Sequence, residues 1–491
     1  MKKQLKGAIC AAVLAIVAAG CNNFLKGGDL TKDPNNPLAA APKQLFGSVQ
    51  SNLWQQQSGD LARLTSLWMQ QTVGVQRQMR DEYNYTGVVE GSFDAEFSRA
   101  YQGGGRLDLL KIDSIASIFG DSIMLGVSNV VEAWMIGTDA DIWGDIPFSQ
   151  ADSFSLYPTP ALDPQQTVYS DVQNLLSRGI ANLTTGVGVG PEEFDLVYGG
   201  DPDKWIALAH TLKARFFLHT AEVIGTPAYQ SALAEANLGI NSNDGDYIAN
   251  FSGAQALESN PWWQFSDANG TTGRSGDLAG LPSHLDSLLR GNDPRDTIVS
   301  DPRDTLYFAT IIDSFFVAPL TKTHHVPHHS FQPGDVIVHD TTNVDQSFFS
   351  SSRLSLTFPQ PFVTYNENLL IKAEAEFQTG AVGAALTDLN TERAAWATPT
   401  PWHSAVTLAP VGAATLDAIM TEKYIVLFQN IETWNDYKRT CIPHLTPVNN
   451  SQGGVIPGRL LYPLQERQTN PNIPAPSQQP ARNWNDPNAC T

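Results

Sequence analysis

A helix–turn–helix unit around residue 380 constrains the fold of this chain more than any other feature. Apolar residues recur at helical spacing up to Gly380, and a second helical stripe begins directly after it. The two stripes are formed by Leu370, Ala373, Phe377, Val382, Ala385, Leu386 and Leu389. The pair spans about 32 residues, from Tyr365 to Trp396, which is close to the length of a tetratricopeptide-type repeat. Because one such unit cannot bury its own apolar face, the pattern predicts that it stacks on other helices.

Three earlier segments predict the helices on which this pair stacks. They cover residues 121–138, 164–183 and 204–223, each with apolar residues on one helical face. The dipeptides Asp163-Pro164 and Asp201-Pro202 predict two helix starts, with an N-cap followed by proline at the first helical position. A last helix is predicted across Met420, Tyr424, Leu427, Phe428 and Ile431. The sequence therefore predicts a mainly α fold built from tetratricopeptide-type helix pairs.

The first 20 residues have the layout of a secretory signal peptide. A basic start is followed by an apolar run, Ile9 to Val17, that is too short to span a bilayer. Cys21 directly follows Ala-Gly, which predicts a lipoprotein whose signal is removed and whose Cys21 carries membrane-anchoring acyl chains. The alternative is an ordinary cleaved signal with an unmodified cysteine. Residues 21–43 contain few large apolar side chains and are predicted to form a tether.

Residues 44–491 are predicted to form one domain. By composition it divides into a helical frame at 44–244 and 356–450, a loop-rich insertion at 245–355, and a C-terminal loop region at 451–491. The insertion is rich in Gly, Ser, Asp, Asn and Pro, with short β-like runs at Thr305–Phe308 and Val336–Val338. Because binding residues gather on loops carried by a rigid scaffold, we expect the insertion to face a ligand.

The net charge limits the classes of possible partner, and the cysteine content bears on the compartment. The chain has 30 basic and 50 acidic residues, and its formal charge of −20 argues against nucleic acid or anionic lipid as a partner. Cys441 and Cys490 remain after the signal and the anchor, in a compartment that permits disulfides. They either form a bridge that fastens the C-terminal region to the body, or remain two free thiols.

Adjacent aromatic residues in the insertion predict a surface that binds sugars. Flat aromatic faces stack on pyranose rings, while amides, carboxylates and arginines bind the hydroxyl groups. The candidate residues are Trp262, Trp263, Phe265, Asp267, Asn269 and Arg274. Two neighbouring tryptophans on a loop do not easily enter one core, so we expect at least one to be partly exposed. The alternative is that either tryptophan pins the loop to the body, since tryptophan is mostly buried.

Tyr83 and Tyr85 form a second candidate patch. Side chains at i and i+2 point to the same side only if the segment is extended. A third group of residues, His324, His325, His328 and His329, resembles a metal site by its histidine density alone. Its spacing around Pro327 is not helical, and no cysteine or nearby carboxylate pair completes it, so we interpret it as a solvated loop.

Local strings distributed along the chain add to these patterns. They are Asp141-Ile-Trp-Gly-Asp-Ile-Pro-Phe148, Leu212-Lys-Ala-Arg-Phe-Phe-Leu-His-Thr-Ala-Glu222, Gly291-Asn-Asp-Pro-Arg295, Leu369 to Glu376, Glu432-Thr-Trp-Asn-Asp-Tyr-Lys-Arg439, Arg459-Leu-Leu-Tyr-Pro463 and Thr469-Asn-Pro-Asn472. In this order, over roughly residues 20–475, the chain resembles the SusD/RagB family of nutrient-binding lipoproteins of the Bacteroidetes outer membrane. The strings mark the fold only, because the ligand residues of that family vary.

The resemblance implies a fold, a partner and a location. Its helix pairs would form one side of the molecule, and loops on the other side a shallow ligand surface. The protein would bind oligosaccharides and deliver them to a SusC-like TonB-dependent transporter on which its helical side packs. It would be lipid-anchored in the outer membrane, facing the cell surface, and would use no cofactor.

Two other functions stay open. A peptide-binding lipoprotein of the same fold would have a charged ligand surface with few aromatic residues. A surface glycoside hydrolase would have a cleft with two carboxylates about 5–10 Å apart. The sequence contains no nucleophile elbow and no zinc-binding HExxH motif, so we expect a protein that is not an enzyme.

Overall fold

The computed structural model describes the chain from residue 41 to residue 490, with gaps. The described ranges are 41–255, 258–266, 277–279, 283–290, 301–308, 349–350, 352–448 and 454–490. The fold is mainly helical, as the sequence predicts. Within these ranges no helix combines the length and the apolar character needed to cross a membrane.

Helices account for most of the N-terminal half. They are α1 (Pro42–Ser58), α2 (Asp60–Trp68), α3 (Arg77–Tyr83), α4 (Asp94–Arg99), α5 (Arg106–Phe119), α6 (Ser122–Trp143), α7 (Gln165–Thr185), α8 (Pro202–His219), α9 (Ala221–Ile224) and α10 (Thr226–Ala236). The second half continues with α11 (Pro261–Ser266), α12 (His284–Arg290), α13 (Asp304–Tyr307), α14 (Tyr365–Gln378), α15 (Val382–Ala395), α16 (Leu416–Val426), α17 (Glu432–Thr440) and α18 (Leu464–Thr469). Two antiparallel two-stranded ladders complete the described fold: β1 (Val73–Gly74) with β3 (Leu278–Ala279), and β2 (Tyr247–Ala249) with β4 (Gln360–Val363).

The predicted helix pair is present as α14 and α15, which are joined at Gly380. This glycine has φ of +88°, a left-handed conformation that most other residues adopt only with strain. The pair belongs to a continuous stack, in which α6 packs on α7, α7 on α8, α8 on α10, and α10 on α14. The predicted neighbours at 121–138, 164–183 and 204–223 are α6, α7 and α8, and α10 connects them to the pair.

Close packing within the stack depends on Gly137 in α6. A Cβ at this position would lie 2.2 Å from the ring of Phe216 in α8. No real Cβ contact is that short, so only glycine lets the phenylalanine ring lie against the α6 backbone.

Strand β2 fixes the start of the insertion in the core. Tyr247 is fully buried, and its ring lies edge-on to Trp134 and to Trp205, at 5.1 and 5.8 Å between centroids. It pairs with Val363 in β4, immediately before the helix pair. The start of the insertion is therefore paired with the strand that leads into the helix pair.

Three local predictions are wrong. Pro164, not Asp163, is the residue before α7; the Asp163 carboxylate instead accepts hydrogen bonds from the backbone N–H groups of Phe148 and Ser149. The run at 305–308 lies mostly in α13 and not in a strand, with the Tyr307 ring packed against Phe428. The last predicted helix ends at Val426 in α16, and Leu427, Phe428 and Ile431 lie in the connection to α17.

The C-terminal region is fastened across the helical stack. A disulfide joins Cys441 to Cys490, with 5.2 Å between their Cα atoms. Shortly before it, the Asn483 side chain donates to the carbonyl of Asp141, and the Asn485 side chain donates to the carbonyl of His219. Because these bonds cap buried backbone groups, the region is part of the body.

Three of the family strings meet in one buried cluster. His219 lies between two carboxylates, with Nδ1 at 2.8 Å from Asp141 Oδ1 and Nε2 at 2.7 Å from Glu432 Oε2. Burial opposes protonation, but the two carboxylates raise the pKa of His219 to about 9. Both ring nitrogens therefore carry protons in this arrangement, and each donates a hydrogen bond to a carboxylate. The cluster is an ion triad that holds the fold together.

Candidate functional site

The predicted aromatic loop begins as a helix, α11. Pro261 stands at its first position, and the Asn260 side chain accepts a hydrogen bond from Trp262 N at 2.8 Å. This is an N-cap followed by proline, the start signal that the sequence carries at Asp201 as well. Asn260 also donates to the carbonyl of Phe358 at 3.0 Å, which fixes the start of α11 on the body.

The helix separates the two neighbouring tryptophans. Successive helical residues point about 100° apart, so only one of the two faces the core. Trp262 is fully buried against Phe349, with 5.7 Å between ring centroids, while Trp263 is partly exposed. The expectation that at least one is exposed is confirmed. Trp262 is not available as a sugar platform in this structure, and it pins α11 to the body, as the alternative interpretation states.

Phe265 is also partly exposed, and it lies over an arginine that sequence patterns did not identify. The guanidinium of Arg63 is 4.5 Å from the Phe265 ring centroid. Arg63 donates to the carbonyl of Pro261 at 3.4 Å and pairs with the Asp60 carboxylate. In the sequence, Arg63 is distinguished only by being a single arginine among leucines and alanine, in the segment that forms the buried helix α2.

The tyrosine patch is buried. Tyr83 is 8% and Tyr85 4% exposed, and burial raises the pKa of Tyr83 to about 12. The segment is not extended, because Tyr83 ends α3 and Tyr85 has a left-handed φ of +60°. The Tyr85 hydroxyl accepts a hydrogen bond from Val448 N at 3.3 Å. The prediction that these two rings face a ligand together is wrong, because both are used in packing.

Helix α2 contacts the segments that carry the two predicted groups, α11 near its start and the segment of Tyr83 at its end. Arg63 holds α11 near one end of α2, and Trp68 at the other end donates to the carbonyl of Glu82 at 3.1 Å. A rise of 1.5 Å per residue places Arg63 and Trp68 about 7.5 Å apart along the helix axis.

Several predicted residues lie outside the described ranges. They are Cys21, Asp267, Asn269, Arg274, His324, His325, His328 and His329. The described site is therefore a short amphipathic surface formed by α11 and the first turn of α2. It offers the partly exposed faces of Trp263 and Phe265 beside the Asp60–Arg63 pair, a combination that suits a ligand with both apolar and hydroxyl-bearing faces.

A stack of helix pairs that carries an aromatic surface defines a helical-repeat binding protein. The model of the SusD-like family, described as "Starch-binding associating with outer membrane", matches residues 34–463. The chain therefore belongs to the SusD-like family, and the resemblance in its sequence is confirmed. None of the curated proteins matches the sequence.

Solved structures show the same fold at low identity. A SusD/RagB family protein from Bacteroides thetaiotaomicron is 20% identical, with a TM-score of 0.67, covering 91% of this chain and 99% of its own. A structure titled as a chitin-binding protein is 22% identical, with a TM-score of 0.69 and coverages of 91% and 100%. A chitin-binding SusD homolog from Flavobacterium johnsoniae is 19% identical, with a TM-score of 0.66 and coverages of 91% and 99%.

Proposed function

We propose that this protein is a cell-surface lipoprotein that binds oligosaccharides and delivers them to a TonB-dependent transporter of the outer membrane, without catalysing a reaction. The family description supports glycan binding and an outer-membrane location. Two structural neighbours are titled as chitin-binding. The observation that carries the proposal is the pair of partly exposed aromatic side chains, Trp263 and Phe265, on a helix anchored at Asn260.

The geometry of α11 favours reversible binding. Trp262 and Asn260 hold the helix on the body, so the exposed face of Trp263 is positioned before a ligand arrives. Preorganisation reduces the entropy lost on binding. A shallow surface buries little of an oligosaccharide, however, and the resulting modest affinity suits a protein that must release its ligand to a transporter.

An exposed apolar patch favours one face for the transporter. The patch consists of Ile118, Phe119, Val187 and Val189, of which Phe119 is 80% exposed. Val187 lies beside the start of α6, three residues after the end of α5, since its carbonyl accepts a hydrogen bond from Ile123 N at 3.1 Å. Clustered exposed apolar side chains of this kind mark interaction surfaces.

The predicted tether enters the fold near this patch. Lys43, in the first turn of α1, pairs with Glu192 and Glu193, both at 3.1 Å. These glutamates follow Val189 by three and four residues along the chain. A patch beside the anchored end of the body is well placed to contact a neighbour in the same membrane.

Glycan binding is tested by affinity gel electrophoresis of the chain from Asn22 onward with a panel of soluble polysaccharides, including glycol chitin and starch. We expect Trp263→Ala to abolish the retardation that the unchanged protein shows. The matched control is Trp484→Ala, because Trp484 is also partly exposed but lies on the C-terminal region beside Tyr169. Equal retardation of both variants would move the site away from α11. Retention of peptide pools and of no glycan would establish the peptide-binding alternative.

The transporter contact is tested by purifying the tagged protein from detergent-solubilised outer membranes. We expect a TonB-dependent barrel to copurify with the unchanged protein and to be lost with Phe119→Asp. The control is Phe154→Asp, since Phe154 is 79% exposed on the loop between α6 and α7. Copurification that survives Phe119→Asp would exclude the patch as the contact.

A further inference from the structure

The two charges of the Asp60–Arg63 pair, which lies beside the aromatic side chains of α11, are not equally accessible. The Asp60 side chain is 57% exposed, whereas that of Arg63 is 7% exposed. Both residues lie in the first turn of α2, and the Arg63 guanidinium pairs with Asp60 Oδ1. The pair as a whole has no net charge, but a ligand on this surface meets its carboxylate.

The Arg63 guanidinium makes its contacts within the protein. Its carbon lies 4.5 Å from the Phe265 ring centroid, and Nη1 donates to the carbonyl of Pro261 at 3.4 Å. An accessible guanidinium in this position would bind a ligand carboxylate in a bidentate manner. Arg63 is buried and already paired with Asp60, so it supports α11 and does not present its charge to a ligand.

The same contacts hold the Asp60 carboxylate in place at the edge of the surface. An exposed side chain usually loses conformational entropy when a ligand orders it. Here one carboxylate oxygen is held by Arg63, and Arg63 is held against Phe265, so less entropy is lost on binding. An ionised carboxylate has only acceptor atoms. It accepts hydrogen bonds from hydroxyl and amide groups of a ligand, and it repels carboxylate and sulfate groups.

We propose that Asp60 determines the charge class of the ligand: the α11 surface binds neutral oligosaccharides and discriminates against those that carry carboxylate or sulfate groups. This inference rests on the proposed glycan binding and specifies its ligand. The formal charge of −20 acts in the same direction over longer distances, because it repels polyanions. The local contribution of Asp60 is measurable beside it, since two like charges about 4 Å apart in water weaken binding by about fivefold.

The first test compares polymers that share a backbone and differ in charge. Glycol chitin is paired with carboxymethyl chitin, starch with carboxymethyl starch, and hydroxyethyl cellulose with carboxymethyl cellulose. Isothermal titration calorimetry measures the affinity of the chain from Asn22 onward for each polymer. We expect the unchanged protein to bind the neutral member of a pair more tightly, a comparison that needs no variant to fold. Equal or tighter binding of the carboxymethyl member would overturn this inference alone, whereas no binding to any polymer would overturn the proposed glycan binding with it.

Substitutions then assign the discrimination to Asp60. Asp60→Asn removes the charge and keeps the size of the side chain, and we expect it to reduce the ratio of neutral to carboxymethyl affinity by about fivefold. Asp60→Glu keeps the charge and is expected to keep the preference for the neutral member. The matched control is Asp417→Asn, because Asp417 is also an aspartate in the first turn of a helix, α16, and its side chain is 67% exposed. Equal changes of the ratio in Asp60→Asn and Asp417→Asn would overturn the role of Asp60, because the net charge alone would then explain the discrimination.

Discussion

The ion triad around His219 makes the stability of this protein depend on pH above neutrality. Burial opposes protonation of the imidazole, but Asp141 and Glu432 raise the pKa of His219 to about 9. A histidine in an unfolded chain has a pKa of about 6.5. Since one pKa unit corresponds to about 1.36 kcal/mol, the protonated imidazole contributes about 3 kcal/mol to the free energy of unfolding.

The sign of the effect follows from the direction of the shift. Because the folded-state pKa of His219 lies above its unfolded value, the contribution is fully present below about pH 6.5 and is lost as the pH rises through about 9. Buried carboxyls act in the same direction: burial raises the pKa of Asp246 and of Asp486 to about 7, and that of Glu392 to about 8. Only a variant at His219 separates its contribution from theirs.

The assay is urea unfolding of the unchanged protein, His219→Gln and His444→Gln between about pH 6 and pH 9.5. We expect His219→Gln to lose about 3–5 kcal/mol at pH 6, because it removes the cation that lies between two buried carboxylates. Between the two pH values the unchanged protein should lose about 3 kcal/mol more than His219→Gln. His444→Gln should follow the unchanged protein, since the His444 side chain is 78% exposed. Equal pH slopes for the unchanged protein and His219→Gln would refute the assignment of a cation at His219.

Three further changes test the helix packing and the attachment of the C-terminal region. Gly137→Ala is expected to cost about 1–3 kcal/mol in thermal unfolding, because its Cβ would meet Phe216 at 2.2 Å. Gly383→Ala, with no atom within 4 Å of the added Cβ, is expected to stabilise α15 by about 0.5–1 kcal/mol, and a loss as large as at Gly137 would contradict this packing. Cys490→Ser opens a disulfide with a sequence separation of 49 and is expected to cost about 4 kcal/mol in guanidinium unfolding. A cost near zero would mean that contacts such as the hydrogen bonds of Asn483 and Asn485 hold the region without the disulfide.

Local signals made much of the helical frame predictable. The stripes on either side of Gly380 and the Asp201-Pro202 start depend on residues within a few positions of one another, and the structure contains both features. The same kind of signal predicted the wrong N-cap residue for α7. The Asp163 carboxylate instead accepts hydrogen bonds from the backbone N–H groups of Phe148 and Ser149, which lie at least 14 residues away. These bonds compete with N-capping of α7.

The candidate site was predictable only in part, for a related reason. An aromatic pair on a Pro- and Asn-rich segment identified the right surface, but helical geometry decided that Trp263 faces outward and Trp262 inward. Tyr83 and Tyr85 looked equally suitable in the sequence, but both are buried in the fold, where the Tyr85 hydroxyl accepts a hydrogen bond from Val448 N. The contribution of Arg63 depends on the approach of α11 to α2, a contact between segments about 200 residues apart.

The sequence by itself determined the family, the mainly helical class and the stacking of helix pairs, because periodicity, caps and short strings are read along the chain. The tertiary structure alone decided which charges meet. Asp141, His219 and Glu432 form one ion triad although 78 and 213 residues separate the partners of its two hydrogen bonds. Arg353, by contrast, ends among three aromatic rings with no carboxylate of the described residues beside it. Whether a buried charge is paired depends on the three-dimensional distance between side chains, and no pattern along the sequence specifies that distance.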